Sequence, residues 1–155
     1  MDIVNPETRS RMMSSIRGQD TKPEVLVRRF LHSKGFRFRL HRHDIPGRPD
    51  LILPRWRAAV LVHGCFWHGH SGCRYFRLPR TRPEFWSEKF AANVARDART
   101  ENALMALCWR VFVVWECAMR DHREEALEAL VREIPGQCTR VEISSPLGQL
   151  ELSTE

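Results

Sequence analysis

The chain has 155 residues, 25 Lys and Arg against 19 Asp and Glu, and a formal net charge of +6. That length suits one domain with a substantial core, and a composition 43% hydrophobic and 28% charged excludes wholesale disorder. Residues 1–99 hold 20 basic and 9 acidic side chains while residues 100–155 hold 5 and 10, and all but three of the basic residues are Arg, a pattern that suits a phosphate-bearing partner or else a solvated Arg-rich surface.

In chain order, Asn5 and Pro6 open a short helix over 6–16. Thr21-Lys22-Pro23-Glu24 reads as a capping box. The apolar stripe Leu26, Phe30 and Leu31 then predicts a helix ending near Gly35. Residues 36–40 alternate with period two, as a strand with one apolar face does. Residues 50–53 and 58–62 form two short apolar strands around Pro54-Arg55-Trp56-Arg57, a hairpin turn. Residues 63–73 are too rich in Gly, His and Cys for regular structure. A long helix over 83–107, opened by Thr81 and Pro83, carries Phe85, Phe90, Val94 and Leu104. A buried strand over 110–116 and an amphipathic helix over 121–134 follow, and the remainder forms weak strands or a loose tail. No internal repeat or long linker divides the chain. The expectation is one α/β domain with a mixed central sheet flanked by helices.

Connectivity predicts where the chemistry gathers. A hairpin sets Asp50 opposite Val62 and His63. A strand, a crossover helix and a second strand make a parallel, right-handed unit, so the strands at 58–62 and 110–116 finish at one rim. Cys117 then lies near the 63–73 loop, and Cys108 goes to the far rim. Neither a membrane-length apolar run nor a signal-peptide pattern is present, so a cytosolic compartment is expected, where Cys residues read as thiols or metal ligands. Cys65, His70, Cys73 and Cys117 would give three sulfurs and one nitrogen for a tetrahedral zinc that stiffens the loop. Inert buried thiols are the alternative.

Asp50 opens an apolar strand, where a carboxylate and a neighbouring backbone carbonyl can bind a hard cation such as magnesium; a turn cap is the competing role. His63 and His68 could hold or deprotonate an attacking water, with Asp97 orienting one of them unless it pairs with Arg96 or Arg99. Glu24 has its own structural role in the capping box. Phe66, Trp67 and Trp86 either plug the core or form a wedge that unstacks DNA bases, and Met13 is the weakest such candidate.

The runs PGRPD (46–50), HGCFWHGH (63–70), TRPEFW (81–86) and VVWEC (113–117) together resemble the very-short-patch-repair (Vsr) DNA mismatch endonucleases, over the stretch up to about Arg120. The resemblance implies a restriction-endonuclease-like sheet with a zinc-stapled loop, in a domain spanning 1–135 whose residues 1–18 clamp DNA, followed by a C-terminal extension over 136–155. It implies a bacterial, cytoplasmic, nucleoid-associated enzyme that uses magnesium and nicks one strand 5′ of the thymine in a T·G mismatch. Such mismatches arise from 5-methylcytosine deamination. By position, Asp50 and the Val62 carbonyl would bind magnesium, His68 would be the general base oriented by Asp97, and His63 and Glu24 would hold metal-bound water. Cys65, His70, Cys73 and Cys117 match the zinc positions, and Phe66, Trp67, Trp86 and Met13 match residues that enter the DNA. The implied partners are double-stranded DNA and a mismatch-repair factor of the MutL type, with the protein a monomer. Three features depart from the pattern. HGHSGC leaves His68 or His70 as the fourth zinc ligand, Val stands at position 62 where Thr is expected, and the Glu-x-Lys half of the common nuclease motif is absent. A zinc-stapled binding module without catalysis and a restriction-type nuclease cutting both strands are the alternative readings.

Overall fold

A computed structural model describes residue 7 and residues 20–155. Apart from Glu7, which is helical, the helix expected over 6–16 lies outside the described residues, as does the DNA contact assigned to Met13.

Thr21 caps helix α1 (Lys22–Ser33): its Oγ1 accepts the Glu24 N–H at 3.4 Å. The Glu24 carboxylate reaches back to the Asp20 N–H at 2.9 Å, one residue past the N-cap N–H that a full capping box would bond. Strand β1 is only Arg39–Leu40, shorter than the expected 36–40. It pairs antiparallel with β2 (Leu51–Leu53), in a register that runs out of partner at Leu53 because Pro54 turns the chain. Phe36 and Phe38 pack against the core without joining the ladder.

The expected hairpin is present. A short 3-10 turn, Pro54–Trp56, and left-handed Arg57 (φ 50°) return the chain into β3 (Ala58–His63), antiparallel to β2. The long helix, α2, spans Pro83–Ala106; Arg82 in a left-handed conformation precedes it and no side chain caps it, so Thr81 does not serve that role. Strand β4 (Arg110–Trp115) runs parallel to β3 over six pairs, from Ala58 opposite Arg110 to His63 opposite Trp115.

Glu116 does not extend β4 but starts a short helix, α3 (Glu116–Asp121), and α4 (Arg123–Glu133) follows. The helix expected over 121–134 is α4, starting two residues later because His122 (φ −141°, ψ 51°) separates it from α3; the His122 ring lies 2.8 Å from the Gly148 carbonyl. Of the two outcomes for the tail, strands form: β5 (Arg140–Ser144) parallel to β4, and β6 (Glu151–Thr154) antiparallel to β5. Among the described residues the six strands form one mixed sheet in sequence order.

Period-two alternation sends neighbouring residues to opposite faces. Val60, Val62, Phe112, Val114, Val141 and Ile143 pack toward α1 and α4. Ala59, Leu61, Val111, Val113 and Trp115 pack toward α2 together with Cys65, Cys73 and Cys117. His63 shares the parity of Leu61 and Trp115, so the sheet delivers it to the α2 face.

Candidate active site

A cleft of about 650 Å³ lies at the rim where β3 ends, lined by Glu24, Asp50, Val62, His63, His68 and Asp97 among others. Asp50 sits one residue before β2. The register places it opposite Leu61, one residue from the expected position, and its Oδ2 accepts the Val62 N–H at 2.6 Å. In an extended strand the N–H and C=O of one residue project to the same side, so the Val62 carbonyl also lies on the Asp50 side of β3. Burial, then the neighbouring Glu24 carboxylate, push the Asp50 carboxyl up to about 8. A buried and a half-buried carboxyl thus crowd one corner, a donor set that suits a hard divalent cation.

Glu24 is 4% exposed. Besides the Asp20 N–H it meets His41, whose Nε2 lies 3.8 Å from Glu24 and 3.7 Å from Asp20 and has no hydrogen-bond partner. Arg28 holds Asp20 from the other side at 2.7 Å and keeps its carboxyl below the usual range. From the sequence nothing marks Asp20 or His41, because left-handed backbone at both (φ 57° and 46°) brings them to Glu24 from outside the helix.

On the opposite wall, His68 Nδ1 lies 2.7 Å from Asp97 Oδ2. Asp97 therefore faces His68 across the loop; no ion pair to Arg96 or Arg99 forms among the described residues. Burial alone would raise the Asp97 carboxyl, but the His68 hydrogen bond and charge hold it below the ordinary value. His63 and His68 stack at 3.9 Å and 7°. Burial, then His68, push the His63 pKa down to about 3, so its ring is neutral at pH 7, and its Nδ1 has no partner.

Cys65, His70, Cys73 and Cys117 converge behind this wall, all buried, with their ligand atoms within 4.8 Å of one another. His68 does not join them; it groups with His63 and Asp97. Backbone donors already serve the sulfurs: the Cys117 N–H points to Cys65 Sγ at 3.3 Å and the Ser145 N–H to Cys117 Sγ at 3.1 Å. The hydrogen bond from Cys65, with His70 nearby, brings the Cys117 thiol down to about 4, whereas Cys65 and Cys73 are pushed up. Crowded thiols of which one ionises readily are a donor set that fits a thiophilic cation, so the cluster could hold a metal ion.

The aromatic candidates form one cluster. Phe66 packs against Trp67 at 5.0 Å, Trp86 at 5.9 Å and Phe90 at 5.1 Å. Phe66 and Trp67 are half-buried, and the Asn93 side chain anchors their loop by donating to the Trp67 carbonyl at 2.9 Å. Trp86 is 6% exposed and packs at the base of the cluster in this structure. The sequence gives no hint of Asn93, whose role depends on where a loop carbonyl falls.

A family model described as DNA mismatch endonuclease Vsr matches residues 1–74. The chain is 53% identical over 133 residues to the type II nicking enzyme V.XorIIP of Xanthomonas oryzae, covering 86% of this chain and 96% of that protein. The chain belongs to the Vsr family. It is also 42% identical to the nicking enzyme V.NmeAIP of Neisseria meningitidis and 41% identical to the DNA mismatch endonuclease Vsr of Escherichia coli K12, which it covers to 96% and 85% respectively. The α/β fold and the Cys/His cluster expected from the Vsr resemblance are both present in this Vsr-family chain. No helix among its described residues is long and apolar enough to cross a membrane.

Proposed function

We propose that this Vsr-family chain is a DNA endonuclease that nicks one strand of a duplex 5′ of the thymine in a T·G mismatch, the lesion left by 5-methylcytosine deamination, and so starts very short patch repair. One observation carries the reading: the half-buried Asp50 carboxyl and the His68–Asp97 pair face the same cleft.

His68 is the proton acceptor. With Asp97 accepting Nδ1–H, the other ring nitrogen keeps its lone pair for the proton of an attacking water. His63, neutral and stacked on it, limits how far the ring can swing. Asp50 and the Val62 carbonyl would hold magnesium, and Glu24 and His63 would hold its water ligands. Magnesium, when bound, supplies charge neutralisation for the phosphate and the departing 3′ oxygen. Zinc would occupy Cys65, His70, Cys73 and Cys117 as a structural ion. The products would carry a 5′ phosphate and a 3′ hydroxyl.

Phe66, Trp67 and Trp86, packed together as one aromatic cluster, would enter the DNA beside the mismatch. Met13, in an N-terminal arm over 1–18, would act from the other groove. The remaining features are a Vsr-like endonuclease domain over 1–135 with a C-terminal extension over 136–155 whose β5 and β6 complete its sheet, a monomer on DNA, a MutL-type companion, and a bacterial, cytoplasmic, nucleoid-associated location.

The test uses labelled duplexes with and without a T·G mismatch, in magnesium and then in EDTA. A magnesium-dependent nick in the mismatched strand is expected. Double-strand cleavage of matched DNA would instead mark a restriction-type nuclease, and binding without cleavage a non-catalytic module. Asp50→Ala should abolish nicking and retain mismatch binding; a variant that cuts at the normal rate removes Asp50 from the mechanism.

A further inference from the structure

Trp115, which the chemistry above does not use, stands between the two clusters. Its ring lies face to face with His70, centroids 3.8 Å apart and 5° from parallel. Toward the cleft it meets His63 at 5.1 Å and 77°, and His68 at 6.3 Å and 83°. One indole thus touches a member of the Cys/His cluster and, at nearly a right angle, the stacked histidine pair.

The indole is itself fixed in orientation. Its Nε1–H donates to Glu142 Oε1 at 2.7 Å. The other Glu142 oxygen pairs with Arg140 at 2.9 Å, and Arg140 Nε bonds Glu101 at 2.7 Å. Arg140, Glu142 and Glu101 are all at least partly buried, and the two carboxylates raise the Arg140 pKa despite burial. Glu101 lies on α2 four residues after Asp97, one helical turn away on the same face. The contacts therefore close on themselves: Asp97 to His68, His68 to His63 and Trp115, Trp115 through Glu142 and Arg140 to Glu101, and back along α2 to Asp97.

We propose that Trp115 is a positioning residue for His68, held by the Glu142–Arg140–Glu101 chain, and that its stack on His70 couples the His63–His68 geometry to the Cys/His cluster. Without the frame, the histidine pair would have its own stacking and the Asp97 hydrogen bond to set its orientation. The inference rests on the reading of His68 as the proton acceptor.

Glu142→Ala is the leading variant, because it removes the indole's acceptor and leaves the ring and its stack on His70 in place. Glu142→Gln keeps an acceptor oxygen for Nε1–H, and Trp115→Phe keeps a stacked ring without the donor. Single-turnover nicking at saturating protein, duplex affinity, metal-to-protein ratio and long-range 1H–15N spectra of the His68 ring are measured on the full chain. For Glu142→Ala and Trp115→Phe the rate at saturation should fall roughly tenfold to hundredfold, with affinity unchanged within about twofold. Metal content should stay at the wild-type ratio, the His68 nitrogen signals should move, and Glu142→Gln should recover most of the rate. A full rate in Glu142→Ala, a matching loss of affinity or metal, or equal damage in Glu142→Gln and Glu142→Ala overturns the proposal. If the wild-type chain nicks no duplex, the catalytic reading fails on its own. The His68 signals still decide the positioning, and unmoved signals in Glu142→Ala refute it.

Discussion

Asp50 and His63 are perturbed in opposite senses, which makes the stability of the metal-free chain depend on pH in two distinguishable ways. Asp50 titrates near 8 in the fold against 3.8 as the reference, so the folded state holds its proton more tightly. Its neutral form is favoured by folding, and the associated stability is complete below about pH 4 and lost as pH rises toward 8. His63 runs the other way: its pKa falls from 6.5 to about 3, so stability is complete above about 6.5 and is lost as pH falls. Asp50→Asn removes the first effect. In EDTA the variant should be more stable than wild type at pH 8 to 9, on the order of 1–4 kcal/mol, with the gain gone near pH 4. Thermal melts across pH check it, and a gain that persists at pH 4 would point to relief of something other than charge.

At the scale of elements, the cleft depends on how closely the loop before β2 approaches α2. Gly47 adopts φ +72°, and a Cβ there would lie 2.1 Å from Thr100 Cγ2 on α2. Gly47→Ala should therefore cost about 1–3 kcal/mol in chemical denaturation and lower the nicking rate, by pushing the loop that ends in Asp50 away from α2. Gly35→Ala is the control for backbone strain alone, since φ is +90° there with nothing within 4 Å. Much of this layer is readable from the residues. Apolar runs around a Pro-Arg-Trp-Arg turn specify β2 and β3, and a helical pattern between two apolar strands specifies a parallel crossover, which places Cys117 beside Cys65. The break at His122 is not readable, because it is stabilised by the carbonyl of Gly148, 26 residues on. The truncation of β1 likewise depends on a partner strand that ends at Pro54. His70 and His68, equivalent as letters in one loop, separate only because Asp97 of α2 takes one ring and the thiols surround the other.

For the whole molecule, the cleft is where acidic and basic side chains meet. The cleft brings Glu24, Asp50, Asp97 and Glu116 together, and a phosphate approaching it meets Arg48 and Arg96 as the cationic side chains on the walls. Arg48 holds a left-handed backbone (φ 45°) directly after Gly47. Substituting Gln at either Arg should weaken matched and mismatched duplexes alike and reduce the slope of log K against log salt by about one. An unchanged slope would place that side chain off the backbone path. The bond from the Ser145 N–H to Cys117 Sγ carries a consequence for biosynthesis. During translation Cys65, His70 and Cys73 leave the ribosome together, while Cys117 and the donor that stabilises its thiolate emerge only with the last quarter of the chain. If this cluster holds an ion, three ligands on a tethered loop would grip it weakly until the fourth closed a long loop to reach them. Its capture would then wait until β4 and β5 are laid down, after Asp50, His68 and Asp97 have all emerged.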